Sequence, residues 1–116
     1  MIVAHETARD AAALPPSGPA PDVLFTSRGY LVLEAETARR FFPGDTVLAI
    51  RRDRELWLLP TRGAAAGGLV LKQRNLQGDR AVLVREVIDD ADVIGPRPAI
   101  WDARQGVLRV ALVDVA

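Results

Sequence analysis

From Val23 onward the chain alternates short apolar runs with turn residues, the pattern of a small sandwich or barrel. Strands are expected at Val23 to Thr26, Tyr30 to Glu34, Thr46 to Arg51, Leu56 to Leu59, Leu69 to Lys72 and Ala81 to Glu86. A last hairpin pairs Ala99 to Trp101 with Val107 to Val113, and Gly106 can supply the left-handed residue of its turn. Pro43 and Gly44 suit the two central positions of a type II turn, which presets one φ and needs the next positive. Between Glu34 and Pro43, AETARRFF is the one expected helix, with Ala38, Phe41 and Phe42 able to cap a barrel end. The expected fold class is all-β with one short helix: a small β-barrel of about seven to eight short strands.

Several strands are apolar on both faces: LVL at 31–33, VLAI at 47–50, LWLL at 56–59 and AVLV at 81–84. A single sheet with one wet face would alternate, so these strands call for barrel closure or a second subunit, and a homodimer is expected. An internal repeat also stands out. GYLVLE at 29–34 and GDTVLAIR at 44–51 line up with GLVLK at 68–72 and GDRAVLVR at 78–85. The reading is two half-repeats, about 23–60 and 68–113, related by a pseudo-twofold axis and joined by TRGAAAGG. Before them, residues 1–22 read as a flexible arm: a short helix at 2–13, then LPPSGPAP as an extended linker.

The 116 residues suffice for one core, and no apolar run approaches the roughly 18 residues of a membrane span. MIVAHETARD does not resemble a secretory leader, so a cytoplasmic location is expected. Without cysteine there is no disulfide, thiolate nucleophile or sulfur-ligated metal. His5 is the single histidine and stands in the arm, while Asp89, Asp90 and Asp92 lack the other ligands of a calcium loop. Neither a hydrolase triad nor a phosphate-binding loop can be assembled, so no enzyme, cofactor or metal is expected. The charge is balanced, 15 basic against 15 acidic residues, with a basic excess only in the middle third. There Arg51, Arg52 and Arg54 cluster at one hairpin, and Lys72, Arg74 and Arg80 around the second Gly-Asp turn. These six are the candidate partner-binding residues, their guanidinium groups suited to carboxylate or phosphate. Trp57 and Trp101 are expected in the core.

The stretch SRGYLVLEAETARRFFPGDTVLAIRRDRELWLLP resembles the swapped-hairpin barrel family of AbrB, SpoVT and MazE, and its duplicated relative MraZ. Gly29, the Tyr30 to Leu33 strand, the Thr37 to Phe42 segment, Pro43-Gly44-Asp45 and the Arg52 to Glu55 turn match in order. Glu34 stands where the family usually has Pro. The resemblance covers about a third of the chain. It implies DNA binding through Arg28, Arg39 and Arg40. GGLVLKQRNLQGDR also resembles small accessory proteins of nickel-iron hydrogenase assembly. Two functions follow as expectations. The first is a non-catalytic accessory or assembly module docking on a partner protein, such as a metalloenzyme. The alternative is an AbrB-like transcriptional regulator or antitoxin that binds nucleic acid.

Overall fold

Among the residues described in the computed structural model, 16–61, 68–88 and 93–112, nine strands and two short helices form. The order is β1 (Gly18–Phe25), β2 (Tyr30–Leu33), α1 (Ala35–Phe41), β3 (Thr46–Arg52), β4 (Glu55–Thr61), β5 (Leu69–Val70), β6 (Lys72–Gln73), β7 (Arg80–Leu83), α2 (Arg85–Ile88), β8 (Gly95–Asp102) and β9 (Val107–Ala111). The helix expected at 2–13, His5, the acidic run at 89–92, and 62–67 of the connection lie outside the described residues.

All pairings are antiparallel, and the sheet runs β5-β3-β4-β9-β8-β1-β2-β7-β6. Its two ends, β5 and β6, are separated only by Leu71, whose N–H donates to the Asp45 carbonyl. One bent stretch of chain therefore brings the sheet's two ends together into a nearly closed barrel. Inside it pack Val23, Phe25, Leu31, Leu33, Val47, Leu56, Leu58, Val82, Leu108 and Val110, all buried. This is why the apolar runs exist: alternate residues fill the lumen. Closure does not cover the other face, where Leu24, Tyr30, Ile50, Val70, Leu83 and Ile100 remain exposed.

The strands expected at Leu56 to Leu59 and Ala99 to Trp101 extend to Glu55–Thr61 and Gly95–Asp102, and three other boundaries change for local reasons. β1 begins at Gly18 instead of Val23, so Pro19 and Pro21, expected in a linker, stand in a strand. Residues 18–20 pair with β8 alone, and the register shifts between Ala20 and Val23. Proline is tolerated there because that stretch has a neighbour on one side only. The strand expected at Ala81 to Glu86 stops at Leu83, because the Val84 carbonyl accepts the Ile88 N–H and starts α2. The expected Leu69 to Lys72 strand is split at Leu71, as described.

The repeat is also redrawn. GDRAVLVR, expected to match β3, contains β7, which is the counterpart of β2. β2 and β7 pair in self-symmetric register, Tyr30 with Leu83 and Leu33 with Arg80. α1 then corresponds to α2: Ala38 N–H donates to Glu34 just as Ile88 N–H donates to Val84, fifty residues on. β3 and β4 correspond to β8 and β9, and the β4–β9 ladder is centred on the Trp57–Arg109 pair. The pseudo-twofold axis thus passes between β2 and β7 on one side of the barrel and through Trp57 and Arg109 on the other.

The two helices close opposite ends. Phe41 of α1 stacks on Trp101 at 4.8 Å between centroids, and the counterpart of Trp101, Arg51, donates to the Ile88 carbonyl of α2 at 2.8 Å. Gly44 is absent from the positive-φ residues, so the expected type II turn does not form. Glycine is required there for another reason: a Cβ would stand 2.7 Å from the Thr61 carbonyl oxygen. Gly106, with φ 68°, does take the left-handed conformation expected of it.

Candidate docking groove

On the outer face of the β2–β7 seam, two adjoining depressions share Tyr30 and Ala81 as a common wall. The larger, about 450 Å³, is bounded by Thr26, Ser27, Arg28 and Arg74. The smaller, about 160 Å³, is bounded by Leu69, Val70, Lys72 and Leu83. Local topology creates the second. The β6–β7 register, Lys72 to Ala81 and Gln73 to Arg80, would next set Val70 opposite Leu83. Instead Val70 leaves β7 to pair with Thr46 of β3, and a cleft opens between them. Its walls are apolar and accessible: Val70 is 51% exposed, Leu83 45% and Tyr30 39%.

The cations are held by the frame around the cleft. Arg28 lies in the β1–β2 turn, where its carbonyl accepts a hydrogen bond from Arg85. Gly29 behind it has φ 90°, and a Cβ would stand 2.8 Å from the Arg85 Cβ, so the turn admits glycine alone without strain. Arg74 anchors the β6–β7 turn through its N–H to the Asp79 carbonyl, 2.7 Å. Asp79 completes that turn: it accepts from Asn75 Nδ2 at 2.9 Å and from the Ala35 N–H, the first residue of α1, at 2.8 Å. The Asn75 bond first, then the Ala35 bond, with the nearby Arg74 charge, hold its carboxyl below the ordinary aspartate range. Arg28, Lys72 and Arg74 are exposed, and none forms a salt bridge among the described residues.

The other candidate residues are dispersed. The Arg51–Arg54 group lies at the far end of β3 from Val70, six residues or roughly 20 Å away at about 3.3 Å per residue. The two arginine clusters therefore do not make one surface. Arg80 is committed to Asp45 at 3.0 Å, and Arg51 to α2. Arg54 is exposed, and its carbonyl accepts the Leu112 N–H. Arg39 and Arg40 are exposed on α1, Arg40 standing over the Phe41 ring at 5.3 Å. Neither borders the groove. What the sequence reading missed is Tyr30, Val70 and Leu83, whose outward direction only the register reveals.

Trp57, expected in the core, is instead on the outer face beside Ile50 and Arg109. Arg52 covers its ring at 4.7 Å and Arg109 at 5.5 Å, while its Nε1 donates to Glu55 at 3.0 Å. Glu55 also accepts two bonds from Arg109, 3.0 and 3.2 Å, and Asp102 lies 3.5 Å from the same guanidinium. Partial burial works to raise the Glu55 carboxyl, but the bonds from Arg109 and Trp57 and the Arg109 charge outweigh it and hold it below its ordinary 4.5. A lowered folded pKa contributes stability above the unfolded value that is lost as pH falls through the folded one. Glu55→Gln should therefore cost about 1 kcal/mol at pH 7, and the difference from wild type should shrink below about pH 4.5. Urea titrations at pH 7 and pH 3 measure it; a difference unchanged between them would refute the assignment.

A third depression, about 530 Å³, is bounded by Phe41, Pro43, Gly44, Pro60, Thr61, Trp101, Ala103 and Gly106, with no ionisable side chain among these described residues. Among the described residues no cluster of His, Cys, Asp or Glu is arranged to hold a metal, and no helix is long and apolar enough to cross a membrane. Compared with protein-family models, curated proteins and solved structures, the chain gives no match.

Proposed function

We propose that this chain is a non-catalytic accessory module that docks a partner protein in the β2–β7 groove. One observation carries the reading: exposed Tyr30, Val70 and Leu83 lie side by side within a rim of Arg28, Lys72 and Arg74, which form no salt bridge among the described residues. Aromatic and aliphatic side chains beside arginine are the composition of binding hot spots. Among the described residues bounding the groove there is no carboxylate, imidazole or thiol. An assembling metalloenzyme is the partner class to which the accessory-protein resemblance points.

A photo-cross-linking residue in place of Leu83, in the native host, tests this against the same residue at Gln105 in the β8–β9 turn. One defined heterologous adduct from position 83 and none from 105 is expected. No adduct from 83, or the same adducts from both, would overturn the reading. An adduct of twice the chain's own mass would replace the heterologous partner with a second copy, the homodimer suggested by the apolar outer strands. Duplex DNA binding that falls steeply with salt and is lost in Arg39→Ala and Arg40→Ala would replace it with the AbrB-like regulator.

A further inference from the structure

We infer that the groove's ligand is an extended acidic peptide segment carrying one aliphatic anchor residue, an inference that rests on the docking reading above. Two half-buried arginines of the barrel have carboxylate partners: Arg80 has Asp45, and Arg109 has Glu55 and Asp102. Among the described residues no salt bridge joins Arg28, Lys72 or Arg74, and the Asp79 carboxylate near Arg74 is already held by Asn75 and Ala35. Arg28 and Arg74 stand over the larger depression and Lys72 over the smaller, so an occupant carrying negative charge along both is the complementary one. Guanidinium groups favour paired carboxylate oxygens, and Lys72 needs only a point charge.

Between these cations the cleft between Val70 and Leu83 is aliphatic and, at about 160 Å³, has room for an aliphatic side chain of roughly leucine size. Tyr30, shared by both depressions, can cover that anchor with its ring and meet the peptide backbone with its hydroxyl. A nucleic acid fits less well. Three cations neutralise few phosphates, a single aromatic offers one stacking surface, and the chain has no net charge to attract a polyanion.

The test uses the full chain and a fluorescent octapeptide of glutamates around a central leucine, read by anisotropy. Its controls are a lysine-for-glutamate peptide, an alanine-anchor peptide and a duplex oligonucleotide. Saturable binding of the acidic peptide is expected below about 1 mM. It should weaken about tenfold or more with the alanine anchor, and as much in K72E/R74E or Leu83→Asp, whose exposed positions leave the core intact. No saturation in that range, equal affinity for the lysine peptide, retention in K72E/R74E, or preference for the duplex would each overturn the inference. The two readings fail separately. If Leu83 cross-links to a defined partner that the acidic peptide does not displace, docking stands and the acidic ligand falls.

Discussion

Replacing Trp101 with alanine should lower the unfolding free energy by about 3–5 kcal/mol, the range for removing a large buried aromatic. Trp101 is 3% exposed and is stacked on Phe41 with 29° between the rings. Its backbone position in β8 lies opposite Leu108 of β9 and Gly18 of β1, so the residue that holds the helix cap sits between two strands. Its removal merges the empty volume with the depression of about 530 Å³ that it already bounds. Collapse of the surroundings cannot refill that space. Because small domains retain about 5–15 kcal/mol, the loss takes a large share of total stability. Urea denaturation followed by far-ultraviolet dichroism measures it. Trp57→Ala provides the contrast, since that ring is half-buried on the outer face under Arg52 and Arg109. A Trp101→Ala cost below the Trp57→Ala cost would refute the assignment of Trp101 as the pin of that barrel end.

The barrel was legible because its lumen is filled by every second residue of strands whose other face is also apolar. That pattern admits few architectures. Proline at 19 and 21 concealed the start of β1, since proline signals a linker unless the neighbouring strand is already known to be missing on one side. The segment AVLVREVI concealed α2 in a different way. Four residues of helix make no periodicity, and the ladder bond from Val84 N–H to Gly29 that places the start of α2 is long-range, so no local pattern reports it. The groove was half legible. The sequence assigns Lys72 and Arg74 to one partner and Arg28 to another, whereas the fold sets Arg28 and Arg74 at the larger depression and Lys72 at the smaller one that adjoins it. The cleft itself exists because Val70 changes partners, which is a property of closure and not of any segment. Arg51 and Arg80 show the converse: both looked available in sequence, and both are spent on holding the barrel.

The redrawn repeat makes a quantitative demand on two leucines. Leu56 and Leu108 occupy corresponding sites of β4 and β9, each 0% exposed, and they sit across the β4–β9 ladder from Val110 and Leu58. Leu56→Ala and Leu108→Ala should each cost about 2–5 kcal/mol, the span set by how well a site collapses around the missing atoms. Their other neighbours break the symmetry and so fix the order. Leu108 pairs with Trp101, at the end packed by the Trp101–Phe41 stack, whereas Leu56 pairs with Arg51, at the end closed by a polar bond to α2. A rigid apolar surround retains its cavity, and a flexible arginine can shift to fill one. Leu108→Ala should therefore be the more damaging by about 1 kcal/mol, as paired urea titrations would show. The reverse order, or a cost under about 1 kcal/mol at either site, would mean that the halves do not share the core as their register requires.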